Sequence, residues 1–77
     1  MDYDTDKVDE TVLALLFLTL HDYNHAWKGF DWDSMDRLFQ KGFIENPQNK
    51  NKSVILTDKG LRFCKDLFQK HFQSTEE

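Results

Sequence analysis

A polar stretch at residues 46–52 (Asn-Pro-Gln-Asn-Lys-Asn-Lys) most constrains what this chain can fold into. Its Asn, Pro and Lys residues are typical of turns. Residues 43–45 (Phe-Ile-Glu) precede it, and the β-branched run at residues 53–56 (Ser-Val-Ile-Leu) follows it. Two short β-prone segments on either side of a polar loop predict a β-hairpin with a long tip.

The segment before this hairpin has clear helix signals at both ends. Asp31 is a suitable N-cap, and Gly42 can close the helix in the left-handed conformation, with Leu38 meeting Phe43 in a Schellman motif. One face of this segment carries the apolar residues Trp32, Met35, Leu38 and Phe39. The pattern therefore predicts a helix from residue 32 to about residue 41.

Two more helices are expected, one before and one after this unit. The first runs from about Lys7 to His21, with Asp6 as its N-cap, and its broad apolar surface is typical of a central, buried helix. The second follows Thr57, an N-cap, and runs from Asp58 to about Phe72.

The connection at residues 22–30 is polar and irregular, with a short helical turn around residues 24–28 as one option. The sequence therefore predicts an α+β fold, a small winged-helix-like domain that is mostly helical with one two-stranded β-hairpin (the wing). Residues 1–77 are expected to form one domain, with an ordered core at about residues 6–72.

Composition indicates a cytoplasmic protein. Cys64 is the only cysteine, which excludes a disulfide within the chain and is typical of a reducing compartment. The start of the chain is acidic, whereas a secretory signal needs positive charge. The longest apolar run, residues 12–18, is too short for a membrane span of about 20 residues.

Two sequence segments resemble winged-helix domains. Residues 35–44 (Met-Asp-Arg-Leu-Phe-Gln-Lys-Gly-Phe-Ile) resemble the exit of a recognition helix, and residues 54–60 (Val-Ile-Leu-Thr-Asp-Lys-Gly) resemble the junction after the wing in bacterial regulators of the MarR and PadR kinds. This resemblance covers residues 31–72 and implies a DNA-binding fold. Only residues 22–30 remain for the first helix of a helix-turn-helix.

The whole chain is also similar to a family of short, uncharacterised bacterial proteins. Members of that family have an Asp-rich start and an Ala-Trp-Lys-Gly-x-Asp-Trp-Asp segment, which here is residues 26–33. That resemblance implies fold and lineage but no activity.

Charge is distributed unevenly along the chain. Residues 1–36 hold nine acids and two bases, a net charge of −7, whereas residues 37–72 hold eight bases and three acids, a net charge of +5. Candidate phosphate-contacting residues are Arg37, Lys50, Lys52, Lys59 and Arg62. The alternative, which the sequence favours, is an ordinary solvated face, because no base-reading residue is evident.

Aromatic residues are abundant, and three of them, Trp27, Phe30 and Trp32, lie within six residues. They could anchor a partner protein or stack on nucleic acid bases. Alternatively, they could complete the core beneath a shortened second helix, which is the structural interpretation that the sequence favours.

Catalytic and metal-binding patterns are weak. His21 and His25 have a spacing that can bind zinc on a helix, but the sequence supplies no third ligand. We therefore expect no catalytic residue, no metal, no cofactor, no small-molecule substrate and no enzyme activity.

The function favoured by these observations is an interaction module that binds a protein, including a second copy of itself as a homodimer. The aromatic surplus and the opposed charges of the two halves support it. The alternative is a DNA-binding transcriptional regulator that uses the wing and the basic last helix.

Overall fold

A computed structural model of the chain describes residues 3–48 and 50–72. The α-helices in these residues are α1 (Thr5–Leu16), α2 (Trp32–Gln40) and α3 (Asp58–Phe72), and a 3₁₀ turn at Phe17–Thr19 extends α1. The strands are β1 (His25–Trp27) and β2 (Ser53–Ile55). The predicted α+β class, mostly helical with a two-stranded antiparallel sheet, is confirmed.

The strand pairing differs in part from the predicted hairpin. β2 pairs antiparallel with β1, and Ala26 lies opposite Val54 in the register. The helical turn considered at residues 24–28 is therefore wrong, because these residues include β1. The predicted hairpin partners do meet, but through a single bridge between Ile44 and Leu56. The segment containing β2 thus lies between β1 and residues 43–45.

Hydrogen bonds at both ends of α2 explain where this helix begins and ends. Asp31 accepts from the Ser34 N–H at the start of α2. At its end, Phe43 donates to the Leu38 carbonyl and Gly42, with φ of +84°, donates to the Phe39 carbonyl. This is the predicted Schellman motif.

Thr57 caps α3 as predicted and also fastens it to the rest of the fold. Its side-chain oxygen accepts from the Gly60 N–H at 3.0 Å and donates to the Gly42 carbonyl at 2.7 Å. Gly60 lies so close to Phe43 that a Cβ atom would overlap the Phe43 carbonyl oxygen. The start of α3 therefore requires glycine at this position.

The first helix begins and ends earlier than the sequence predicts. Asp4, not Asp6, is its N-cap, and it accepts from the backbone N–H groups of Asp6 and Lys7. The α-helix ends at Leu16 and the 3₁₀ turn ends at Thr19, short of the expected His21. Several acids near the start of the chain can cap a helix, so the pattern alone does not identify the one that does.

The core lies between the three helices and the inner face of the sheet. Ala26 and Val54 project from the sheet onto fully buried residues of the helices and loops. These are Leu13, Leu16, Met35, Leu38, Ile44, Leu56 and Cys64. Burial raises the pKa of the Cys64 thiol, which disfavours the reactive thiolate. No helix within the described residues is long and apolar enough to cross a membrane.

Candidate interaction site

Two tryptophans face solvent at the connection between β1 and α2. Trp27 is 51% exposed and Trp32 is 61% exposed, whereas Phe30 is half-buried and packs against the core. The core-filling interpretation is therefore wrong for both indoles and right for Phe30. Large exposed aromatic side chains this close in sequence are typical of partner-binding surfaces.

Neighbouring backbone restricts the position of Trp27. Its N–H donates to Thr19 Oγ1 at 2.9 Å, and it lies opposite Ser53 in the sheet. The indole packs on Gly29, where an added Cβ would overlap Trp27 Nε1. These contacts fix the backbone of Trp27, whereas its half-exposed indole rests on Gly29.

Pro47 and Lys52, near the two ends of the polar loop, are hydrogen-bonded to Lys28, the residue after Trp27. The Lys28 N–H donates to the Lys52 carbonyl at 3.3 Å, and Lys28 Nζ donates to the Pro47 carbonyl at 2.7 Å. Lys50 and Lys52 are exposed. An exposed indole therefore lies beside a lysine-bearing loop, a relationship that depends on strand pairing and could not be predicted from local sequence.

The other predicted phosphate-contacting residues do not join these lysines in one group. Arg37 donates to Asp9, and Lys59 donates to the Lys41 carbonyl while lying over the Phe43 ring, 4.8 Å from its centroid. Arg62 lines a shallow surface hollow together with Tyr23, Asp58, Leu61, Lys65 and Asp66.

A buried carboxylate links α1 to α2. Asp9 is 1% exposed, and its Oδ2 accepts from Arg37 Nε at 2.7 Å and from Lys41 Nζ at 3.1 Å. Lys41 also contacts Asp6, and Arg37 donates to the buried hydroxyl of Ser34. In the sequence, Arg37 is a candidate phosphate-contacting residue, and its pairing with Asp9 is not predicted.

The pKa values of this network follow from its geometry. Burial alone would raise the pKa of Asp9, but hydrogen bonds from Arg37 and Lys41 outweigh it and hold that pKa below its ordinary value. The hydrogen bond to Asp9 raises the pKa of Arg37. Burial would lower the pKa of Lys41, yet its bonds to Asp9 and Asp6 raise it. All three groups are therefore charged at neutral pH.

A groove of about 370 Å³ runs beside this network. Its apolar lining comes from all three helices and the loop after α2: Leu13, Leu38, Phe43, Phe63 and Leu67. Its polar lining is Asp6, Asp9, Glu10 and Lys41. The signal that could have located Asp9 here is its helical spacing, since it falls on the same stripe as Val12, Leu13 and Leu16.

His21 and His25 are adjacent, but they are held by strand-like pairing rather than on a helix. Their backbones form a bridge with two hydrogen bonds, and their ring centroids lie 5.9 Å apart. Across residues 3–48 and 50–72, no three His, Cys, Asp or Glu side chains are grouped so that they could hold a metal ion.

Comparison with known proteins assigns the chain to a family. A family model described as a domain of unknown function, DUF6429, matches residues 4–74. The chain belongs to the DUF6429 family. The match spans the tryptophans, the polar loop and the Asp9 network, so all of these features lie within the DUF6429 domain.

One curated relative supports this assignment. The chain is 56% identical over 72 residues to the uncharacterized protein y4hR of Sinorhizobium fredii (strain NBRC 101917 / NGR234). These 72 residues make up 94% of this chain and 97% of the relative. No solved structure matches the chain. The resemblance to a family of short uncharacterised proteins is thus confirmed as DUF6429, and neither comparison names an activity for it.

Proposed function

We propose that this DUF6429 domain is a protein-interaction module whose partner surface is built on Trp27 and Trp32, with Phe30 between them packed against the core. The single observation that carries the proposal is the exposure of both indoles, while smaller residues such as Leu13, Met35 and Leu38 form the buried core. Tryptophan is enriched among the side chains that contribute most to binding. Self-association is the first case to test, because the acidic and basic halves of two copies can attract each other.

The same proposal includes a winged-helix-like arrangement and a cytoplasmic, non-catalytic role. Support for the arrangement comes from the order of α1, β1, α2, β2 and α3, and from the bridge that joins the segments around the polar loop. The lone cysteine supports an intracellular location.

Sedimentation equilibrium from micromolar to near-millimolar protein tests the self-association. The wild-type chain is expected to gain average mass with concentration, and the double variant Trp27→Ala/Trp32→Ala to remain a monomer. Phe72→Ala is the matched control, because Phe72 is also a large exposed aromatic residue but lies at the end of α3. A wild-type chain that stays monomeric throughout removes self-association from the proposal.

DNA binding is the second candidate, and one observation favours it. Trp27 lies opposite Ser53 in the sheet, at the end of the loop that carries the exposed Lys50 and Lys52, so an exposed aromatic residue is close to a lysine-bearing loop. Arg37 counts against it, because its guanidinium is engaged by Asp9. The test is a mobility shift with duplex DNA at low salt. Binding that is lost in Lys50→Glu/Lys52→Glu and weakens steeply with salt supports it, and no shift by the wild-type chain ends it.

A further inference from the structure

Negative charge surrounds Trp32 at the start of α2. Asp33 and Asp36 follow it on the same helix, and all three side chains are exposed. Residues one turn apart share a helix face, so Asp36 lies next to Trp32 on the surface. The nearest base along the helix, Arg37, is paired with Asp9. Neither Asp33 nor Asp36 forms an ion pair with another described residue, so both carboxylates are available to a partner.

Positive charge lies close to Trp27. This residue pairs with Ser53, which directly follows the polar loop, and the loop carries the exposed Lys50 and Lys52. The loop sequence, residues 46–52, contains no acid. Neither lysine forms an ion pair within the part of the chain that the structure describes, so these two ammonium groups are also available to a partner.

A surface that carries both signs of charge is complementary to itself. Only residues 28–31 separate Trp27 from Trp32, so the lysine end and the aspartate end belong to one surface. An acidic partner would complement the lysines alone, and a basic partner the aspartates alone. In a two-fold dimer every contact occurs twice with the roles of the two copies exchanged. When the Trp27 end of one copy meets the Trp32 end of the other, both opposite-charge contacts form together.

We propose that two copies of this domain pair about a two-fold axis, with Lys50 and Lys52 of each copy against Asp33 and Asp36 of the other and the indoles between them. This inference rests on the proposed self-association through the tryptophans, to which it adds the orientation of the two copies. Burial of the indoles supplies most of the attraction, because exposed ion pairs contribute little. The charges select the orientation, because contacts between like charges are costly.

Charge reversal in the full chain tests this pairing. The two variants are Asp33→Lys/Asp36→Lys and Lys50→Glu/Lys52→Glu, each checked for folding by circular dichroism. Each variant places like charges at both contacts of its own dimer, so its self-association in sedimentation is expected to weaken at least about tenfold. An equimolar mixture of the two variants has opposite charges at both contacts again. The mixture is expected to assemble with an affinity within about threefold of the wild type.

The matched control is Lys65→Glu/Lys70→Glu, which reverses two exposed lysines of α3 and changes the net charge as much as Lys50→Glu/Lys52→Glu does. Its affinity is expected to stay within about threefold of the wild type. Added salt is expected to weaken the wild-type dimer and to strengthen association of each reversal variant, because screening reduces attraction and repulsion alike.

The outcomes separate this inference from the proposed function. Reversal variants that associate as tightly as the wild type, or a mixture that stays monomeric while the wild type assembles, would overturn the orientation and leave the tryptophan surface in place. A wild-type chain that stays monomeric would remove the proposed self-association and this inference with it.

Discussion

Asp9 and Arg37, 28 positions apart in the chain, are joined by a hydrogen bond of 2.7 Å between Oδ2 and Nε. The carboxylate is buried, whereas the guanidinium keeps about a third of its surface exposed. This pair fastens α1 to α2 and thereby fixes one wall of the groove. Because Asp9 has no access to water, its charge depends entirely on the two cations that it contacts.

Replacing Asp9 by Asn should therefore destabilise the fold. The expected loss is about 3 kcal/mol in the free energy of unfolding, at the low end for a broken buried pair, because Arg37 and Lys41 can still turn toward water. Urea unfolding monitored by circular dichroism measures this loss. Asp36→Asn, an exposed acid on α2, is the control and should change stability by less than about 0.5 kcal/mol. Equal effects of the two substitutions would contradict the account.

Stability should also depend on pH through Asp9. Its pKa is lower in the folded state than the ordinary value of about 3.9, so the unfolded chain takes up this proton first as pH falls. The stabilisation is complete above about pH 5 and is lost as pH falls through the folded-state pKa. The difference in unfolding free energy between wild type and Asp9→Asn should therefore shrink on acidification. A difference that is constant or grows toward low pH would show that Asp9 is not held ionised by its partners.

Two glycines should differ in how much they tolerate alanine. At Gly60 a Cβ atom would overlap the Phe43 backbone, so Gly60→Ala should cost about 3 kcal/mol, the upper end for overpacking. At Gly42 there is open space and only the φ of +84° resists a side chain, so Gly42→Ala should cost about 1 kcal/mol. Thermal and urea unfolding compare the two variants, and a reversed order would contradict the described approach of α3 to Phe43.

Much of this fold could be predicted from local sequence, and the misses have a common physical cause. The bounds of α3, the Asp31 and Thr57 caps and the Gly42 closure depend on residues within a few positions of each other. β1 was missed because three residues in a polar stretch show no periodicity, and they form a strand only by pairing with β2. The Asp9–Arg37 pair and the groove were missed for the same reason, since both depend on contacts between distant parts of the chain.

The exposure of the two tryptophans was not predicted from the sequence. Sequence favoured burial of both tryptophans, because a short chain needs apolar area. In the fold, the core is filled by smaller residues such as Leu13, Leu38 and Met35, and the indoles remain outside. Which aromatic residue is buried is decided by the packing of the helices, which local sequence does not specify.

A substitution at Gly29 should weaken self-association through Trp27 while leaving the stability of the fold nearly unchanged. Gly29→Ala should displace the indole, because an added Cβ overlaps Trp27 Nε1, yet a half-exposed side chain can move aside at little cost. We expect a change of less than about 1 kcal/mol in unfolding free energy together with clearly weaker self-association in sedimentation. Unchanged self-association in this variant would place the interface away from Trp27.

Tryptophan fluorescence of the wild-type chain over a concentration series tests the central claim most directly. Both indoles are solvent-exposed in the single chain, so burial in an interface should shift the emission to shorter wavelength as sedimentation reports the growing complex. Trp27→Phe and Trp32→Phe then report each indole separately. The account predicts the blue shift in step with assembly; emission that stays constant while the chain assembles would contradict a partner surface built on these tryptophans.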